Sequence, residues 1–268
     1  MTGNERRNLL GIQVSCVDYD KTLARVMEAA QARHPLAVSA LAVHGVMTGV
    51  LDLEHRYRLN ALDMLVPDGQ PVRWALNWLH HAGLSDRVYG PTLMLRICEQ
   101  ASVEQLPIFL FGGTDDLLAA LVNNLRKSFP ELKIAGTRAS LFRQLEPHER
   151  DELVHEIRDS GAAITFVGLG CPRQEIWAFE LRDDLNMPVL AVGAAFNFHA
   201  GHLSQAPPFM QARGLEWLYR LTKEPIRLWK RYLLLNPLYV SLLLLQYTGL
   251  RRFDPTMSVK PEEEILCG

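Results

Sequence analysis

Three apolar segments of the sequence end in glycine and are followed by residues that could bind a nucleotide diphosphate. They read IFLFGGTDD, ITFVGLGCPRQE and VLAVGAAFNFHAG. Glycine lets the backbone approach a phosphate, and the N–H groups that begin a following helix can bind the anion. The candidate glycines are Gly112, Gly113, Gly168, Gly170 and Gly193. A tight strand-to-helix turn explains each glycine equally well, so both interpretations stay open here.

The most informative of the three segments is VGLGCPRQEIW. Pro172 suits the first position of a helix, which places Gln174 and Glu175 in the first turn. The Gln174 amide could there donate a hydrogen bond to a sugar hydroxyl or a phosphate. The alternative is that both side chains only cap the helix and complement its dipole.

A carboxylate follows a further apolar run in LVPDGQPV. Asp68 stands between this run and a turn glycine, where a carboxylate can accept a proton from an attacking hydroxyl. Pro-Asp-Gly is also a common turn, and Asp68 could cap a helix that begins near Pro71. A general base and a turn residue are therefore both compatible with this motif.

Other constellations of polar residues do not predict a metal site. Asp18 and Asp20 have D-x-D spacing, but they directly precede a helical segment and are interpreted as an N-cap. His199 and His202 have H-x-x-H spacing without a third ligand. The sequence contains no P-loop, no G-x-S-x-G elbow and no dinucleotide fingerprint. We therefore expect no metal and no cofactor.

The elements that position these residues alternate between short apolar runs and helical segments. Such alternation predicts an α/β fold with a Rossmann-like parallel sheet and helical crossovers. The predicted strands are 36–43, 64–66, 108–111, 132–135, 162–167 and 189–192, and the predicted helices are 21–32, 71–81, 92–100, 115–129, 147–159 and 172–185. Because ligands bind beyond the carboxyl ends of parallel strands, the glycines and Asp68 are expected at one edge of the sheet.

The charge is nearly balanced over the 268 residues, with 28 basic and 30 acidic side chains, which supplies no chain-wide reason to bind nucleic acid. The few cysteines are far apart, as expected for a reducing cytosol. Positive charge is local: six basic residues lie within 213–231, against two acidic ones. We predict a catalytic domain over 1–212, a basic and apolar helical appendage over 213–252, and a flexible tail over 253–268.

The appendage contains 19 uncharged residues over 232–250, the length of a membrane span. Asn236 and Pro237 interrupt this run, which favours a helix lying on a bilayer face over a spanning helix. The alternative is a helix buried against the catalytic domain or against a second subunit of a homo-oligomer.

Six motifs, taken in order, resemble the WecG/TagA/CpsF family of bacterial glycosyltransferases over roughly residues 10–232. The motifs are PDG, RVYGPTLM, FGG, VGLGCPRQEIW, VGAAFNFHAG and GLEWLYRLTKEPIRLWKRY. The resemblance implies transfer of a sugar from a UDP-sugar to an undecaprenyl-diphosphate-linked saccharide. It further implies inversion at the anomeric carbon, no required metal, and a peripheral location on the inner face of the cytoplasmic membrane.

The resemblance also implies roles for individual residues. Asp68 matches the proposed general base, and Gln174 and Glu175 match a pair that lines the active-site pocket. In the family, a C-terminal basic appendage is thought to close over the pocket and to contact the lipid diphosphate. The matching residues in this sequence are Arg220, Arg227 and Arg231.

The chain departs from the family pattern at several positions. Ala40 and Ala42 replace a Thr-x-Asn, Asn197 replaces an aspartate, and Gln205 replaces an arginine. The family's donors include N-acetylmannosamine, its uronic acid and glucose, and the lost Thr-x-Asn favours a glucose-type enzyme of exopolysaccharide synthesis. Two other functions stay open: a NAD(P)-dependent oxidoreductase of the same fold class, and a non-enzymatic nucleotide-binding membrane adaptor.

Overall fold

The computed structural model describes residues 5–265 and Gly268, except for the side chain of Arg231. The described strands are β1 (Arg6–Leu9), β2 (Ile12–Ser15), β3 (Leu36–Leu41), β4 (Met64–Pro67), β5 (Ile108–Phe111), β6 (Ile134–Arg138), β7 (Ile164–Val167) and β8 (Pro188–Ala191). The last six form one parallel sheet in the order β4-β3-β8-β7-β5-β6. Each predicted strand overlaps one of them, which confirms the α/β fold class.

Helices connect these strands and cover both faces of the sheet. In chain order they are α1 (Tyr19–Ala32), α2 (Val43–Leu51), α3 (Leu53–Ala61), α4 (Gln70–His80), α5 (Gly90–Val103), α6 (Asp115–Ser128), α7 (Pro147–Asp159), α8 (Arg173–Leu185), α9 (Ala195–His199), α10 (Pro208–Ala212), α11 (Glu216–Lys223), α12 (Pro225–Lys230) and α13 (Asn236–Tyr247). A single π-helical turn, Arg231–Leu235, joins α12 to α13. The six predicted helices are confirmed as α1 and α4 to α8.

The core consists of two apolar clusters, one on each face of the sheet. Leu65 and Phe109 point into one cluster, whereas Val66 and Leu110 point into the other. This alternation follows from the two-residue period of a strand. Both faces are therefore buried, as in parallel sheets that helices cover on both sides.

One hairpin and two helices near the N-terminus were not predicted. The hairpin of β1 and β2 turns through Leu10 and Gly11, which both have positive φ, at 56° and 91°. The helices α2 and α3 meet at Asp52, whose carboxylate accepts hydrogen bonds from the N–H groups of Glu54 and His55, both at 2.9 Å. This N-cap allows α3 to begin directly after α2 ends.

The apolar C-terminal segment packs one side against the core. Tyr239, Leu242 and Leu243 of α13 are buried there, and the Tyr239 hydroxyl donates a hydrogen bond to the carbonyl of Pro71 at 3.2 Å. Pro237 lies in the first turn of α13, and the π-helical turn directly before it interrupts the α-helical hydrogen bonding between α12 and α13. Within the described residues, no helix is both long and apolar enough to span a membrane.

The predicted tail runs back along the α/β unit. Phe253 is buried, the backbone N–H of Val259 donates to the Leu53 carbonyl at 3.1 Å, and Arg56 donates to the Met257 carbonyl at 2.9 Å. These contacts place residues 253–259 beside α3. The predicted flexibility of the tail and the division into domains stay predictions.

Candidate active site

The carboxyl ends of four neighbouring strands, β4, β3, β8 and β7, border a cleft with a volume of about 410 Å³. Of the residues predicted for the site, the cleft lining contains Asp68, Gly168, Gly170, Gln174, Glu175, Gly193, Arg220 and Arg227. Residues from segments far apart in sequence are thus brought to one edge of the sheet. This edge is the place where open α/β sheets bind ligands.

Other predicted site residues lie elsewhere. Gly112 and Gly113 follow β5, which lies beyond β7, and neither lines the cleft. A Cβ atom on Gly112 would come within 3.0 Å of the Gly168 carbonyl carbon, so this glycine permits a close approach of two strand-end loops. Pro172 stands just before α8 and also lies outside the lining. The side chain of Arg231 lies outside the described residues.

Asp68 is held at the end of β4 by backbone groups. Its N–H donates a hydrogen bond to the carbonyl of Leu41 at 3.2 Å. Its Oδ1 accepts a hydrogen bond at 3.0 Å from the N–H of Gly90, the first residue of α5. The carboxylate therefore faces a helix N-terminus, which stabilises negative charge and fixes the orientation of the side chain.

Burial is the main influence on the protonation of Asp68, and it raises the pKa of this carboxyl to about 6. Of the neighbouring charges, Arg87 and Arg220 lower the pKa, whereas Glu216 raises it. A carboxyl group with this pKa is ionised at neutral pH, yet it is more basic than an exposed aspartate. These properties are those of a general base.

An arginine, a tyrosine and a glutamate form a network beside Asp68. Arg87 Nη2 donates to Glu216 Oε2 at 2.8 Å, and the Tyr89 hydroxyl donates to Glu216 Oε1 at 2.9 Å. The Arg87 guanidinium also lies over the Tyr89 ring, 4.1 Å from its centroid. Burial and the Glu216 carboxylate raise the pKa of Tyr89, so its hydroxyl stays protonated as a donor.

This network was missed as a set of functional residues. Arg87 and Tyr89 stand in the motif RVYGPTLM, and Glu216 stands in GLEWLYRL, 127 residues after Tyr89. The signal in the sequence was that Arg87 and Tyr89 stand just before a helix that starts with Gly-Pro. Their common partner on a distant helix could not be inferred from spacing.

Gln174 and Glu175 face the cleft from the first turn of α8. The Gln174 amide donates to Glu175 Oε1 at 2.8 Å, and its own Oε1 accepts from the N–H of Gly170 at 3.2 Å. Ser39 of β3 also donates to Glu175 Oε1, at 2.9 Å. Burial raises the pKa of Glu175. The pair therefore joins the end of β3 to the loop after β7.

A second, smaller cavity of about 120 Å³ adjoins the cleft. Asp68, Glu216 and Arg220 line both spaces. The walls of the smaller cavity also include Trp217, Tyr232, Leu235 and Asn236, which belong to the C-terminal helical segment. Asp68 thus stands where a polar cleft and a cavity with apolar walls meet.

The basic residues of the appendage differ in their surroundings. Arg220 pairs with Glu224 at 3.4 Å and lies over the Phe198 ring, 5.9 Å from its centroid. Arg227 pairs with the other oxygen of Glu224 at 2.5 Å and is largely exposed. Both arginines line the cleft.

The prediction that Asp18 is an N-cap is confirmed. Asp18 is the N-cap of α1, where its carboxylate accepts a hydrogen bond from the N–H of Lys21 at 2.8 Å. His199 Nε2 lies 2.9 Å from the carbonyl of Pro91. The positions that depart from the expected pattern are divided: Ala40, Ala42 and Asn197 line the cleft, and Gln205 does not.

A comparison with known proteins identifies the family. The sequence profile of the Glycosyl transferase WecG/TagA/CpsF family matches residues 7–253. The match covers nearly the whole chain, which makes this protein a transferase rather than an oxidoreductase, with a role in polysaccharide biosynthesis. The chain therefore belongs to the WecG/TagA/CpsF family of glycosyltransferases.

Proposed function

We propose that the protein transfers a sugar from a UDP-sugar to an undecaprenyl-diphosphate-linked saccharide, with inversion at the anomeric carbon. The observation that carries this proposal is the position of Asp68, which borders both the large polar cleft and the smaller cavity beneath the C-terminal helices. A transferase needs one site for each substrate and a base between them. Asp68 meets that requirement.

The donor is assigned to the large cleft. The strand-end glycines Gly168, Gly170 and Gly193 line it beside Gln174, and Gly170 has open space where a side chain would project, so the backbone there can approach a diphosphate. Arg220 and Arg227 face the same space from α11 and α12, and their forked N–H groups match the oxygens of a diphosphate. The leaving UDP would be stabilised by these cations.

The acceptor is assigned to the smaller cavity. Its walls include Trp217, Tyr232 and Leu235, so it suits a sugar ring that enters from the side of the C-terminal helices. The Asp68 carboxylate takes the proton of the acceptor hydroxyl as that oxygen attacks the anomeric carbon. The bond from this carbon to the diphosphate oxygen breaks in the same displacement, so the product has the inverted configuration.

The membrane surface is the third partner in this proposal. Leu233 and Leu234 are 59% and 64% exposed in the segment that precedes α13, and Leu244 and Tyr247 are exposed on α13 itself. Basic residues of α11 and α12 precede this apolar surface. Apolar burial and attraction to anionic lipids together hold such helices reversibly at an interface. We therefore place the protein on the inner face of the cytoplasmic membrane.

The donor sugar is proposed to be of the glucose type. Ala40 and Ala42 line the cleft at the end of β3, where methyl side chains cannot donate or accept the hydrogen bonds of a threonine and an asparagine. A site without these hydrogen-bonding groups does not stabilise an acetamido substituent on the sugar. It therefore does not favour N-acetylmannosamine over glucose.

The test is transfer by the purified full-length protein from a panel of radiolabelled UDP-sugars to a prenyl-diphosphate-linked saccharide. We expect transfer from one donor, strongest with UDP-glucose, and an inverted anomeric configuration in the product by NMR. Absence of transfer from every donor in the panel would overturn the proposal. Transfer only from UDP-N-acetylmannosamine or its uronic acid would overturn the donor assignment alone.

A further inference from the structure

A histidine, a cysteine and a glutamate lie close together at the wall of the donor cleft. His55 belongs to α3, Cys171 belongs to the loop that precedes α8, and Glu175 belongs to the first turn of α8. Their ligand atoms all lie within 4.8 Å of one another. Among the residues that the structure describes, these three form the only such group of potential metal ligands. Contact between α3 and α8 brings them together.

His55 is the first reason to expect a ligand at this place. The residue is only 1% exposed, and neither Nδ1 nor Nε2 has a hydrogen-bond partner among the described residues. A buried polar group without a partner destabilises a fold, and a bound cation would remove that penalty.

Glu175 provides a second, independent reason. Its Oε1 is held by Ser39 at 2.9 Å and by Gln174 at 2.8 Å, and the Cys171 thiol also hydrogen-bonds to its carboxylate. In metal sites, outer hydrogen bonds of this kind fix the direction of a ligating carboxylate. The side chain is therefore oriented toward Cys171, the neighbouring potential ligand.

The chemical types of the three potential ligands indicate which ion would bind. Thiolate, imidazole and carboxylate together are typical ligands of Zn²⁺, whereas Mg²⁺ and Ca²⁺ prefer oxygen ligands alone. Zinc bonds of about 2.0–2.3 Å would hold tetrahedral ligand atoms about 3–4 Å apart. The observed group, whose ligand atoms lie within 4.8 Å of one another, needs to contract by about an ångström to reach this geometry.

We propose that His55, Cys171 and Glu175 bind one Zn²⁺ ion, with its fourth coordination position directed toward the donor cleft. Cys171 and Glu175 both line that cleft, so a water molecule or an oxygen of the donor can reach the fourth position. The ion would fasten α3 to the first turn of α8 and fix the wall that contains Gln174. This site is distinct from Asp68, and the displacement proposed above does not require it.

Metal binding by the full-length chain tests the proposal without reference to activity. Protein freed of metal with a chelator is titrated with Zn²⁺ against a chromophoric competitor. We expect one equivalent to bind with a Kd below about 1 µM. Titration with Co²⁺ should produce thiolate-to-cobalt charge-transfer absorption in the near ultraviolet, which reports directly on a cysteine ligand.

Matched variants identify the ligands. Cys171→Ser should abolish the charge-transfer absorption and weaken Zn²⁺ binding by about 100-fold or more. Cys98→Ser, at a buried cysteine of α5 in the apolar cluster on one face of the sheet, should leave both unchanged. Ser39→Ala removes only a hydrogen bond to Glu175 and should weaken binding by about tenfold.

Circular dichroism and thermal melting show whether each variant is folded. If Cys171→Ser does not fold, two measurements still test whether the site binds metal. They are the Zn²⁺ affinity of Ser39→Ala and the cobalt spectrum of the unaltered chain. Binding weaker than about 10 µM in the unaltered chain would overturn the proposal. Equal affinity in all variants would also overturn it, because the ion would then be held elsewhere, for example by the adjacent His80 and His81.

Discussion

Arg87 Nη2 lies 2.8 Å from Glu216 Oε2, which joins the end of the sheet to the C-terminal helices. Arg87 precedes α5, and Glu216 is the first residue of α11. Both charges act on Asp68: the arginine lowers its pKa, and the glutamate raises it. The C-terminal segment therefore covers the site and also influences the protonation of the proposed base.

Glu216→Gln should shift the pH dependence of transfer to lower pH. The substitution removes a negative charge that raises the pKa of Asp68, and it frees Arg87 to approach the Asp68 carboxylate. Both effects stabilise the ionised base. We expect the acidic limb of the kcat/KM profile to move down by roughly one pH unit.

Glu99→Gln is the matched control, because Glu99 is an exposed residue of α5. Its pH profile should coincide with that of the unaltered enzyme. An acidic limb that stays in place in Glu216→Gln would show that Glu216 does not influence the base.

Asp68→Asn should reduce turnover and leave UDP binding nearly unchanged. An asparagine keeps the size of the side chain and can still accept the hydrogen bond from Gly90, but it cannot take a proton. General bases typically contribute about 10²–10⁴ to the rate, so kcat should fall by that factor. In the unaltered enzyme, kcat/KM should decline below pH about 6 as Asp68 becomes protonated.

Asp183→Asn, at an exposed aspartate of α8, serves as the control for this substitution. Calorimetry with UDP checks that the donor cleft of each variant is intact. A loss of less than about threefold in Asp68→Asn would return Asp68 to the role of a turn residue.

The sequence predicts the sheet and eight of the residues that line the cleft, because both depend on local features of the chain. Strand ends are local features, and Asp68 and Gly168 each follow an apolar run that could be identified by its length. Strand order is not local: β8 lies between β3 and β7, which brings Gly193 into the cleft and leaves Gly112 outside it. No spacing along the chain determines that order.

Other features depend on contacts that arise only after folding. The Arg87–Glu216 pair joins residues 129 positions apart. The hairpin turn has Leu10 instead of the asparagine or glycine that usually signals positive φ, and its position is fixed by the burial of Leu10 in the core.

Replacing Leu233 and Leu234 together by glutamate should weaken binding to anionic vesicles. Both side chains are largely exposed, so the change spares the core, and each leucine buried in a bilayer contributes about 1.5–3 kcal/mol. Loss of both, with added repulsion from anionic lipid, should reduce vesicle binding about 100-fold or more. Co-sedimentation with vesicles that contain phosphatidylglycerol measures the effect.

Val103→Glu provides the control, because Val103 is also exposed but ends α5 at the opposite edge of the sheet. Its vesicle binding should match that of the unaltered protein. If the double leucine variant sediments as fully as this control, the exposed apolar residues do not contact lipid, and a second subunit becomes the better candidate for covering them.

Gln246→Ala should destabilise the docking of α13 on the N-terminal hairpin. The Gln246 side chain accepts a hydrogen bond from the Leu10 N–H and donates one to the Asn8 carbonyl, both at 2.9 Å. Leu10 is fully buried, so its N–H would have no replacement partner. The free energy of unfolding in urea should fall by about 1–3 kcal/mol, whereas Gln31→Ala, at an exposed glutamine of α1, should change it little. Equal stability of the two variants would mean that water replaces both hydrogen bonds and that packing alone holds α13 in place.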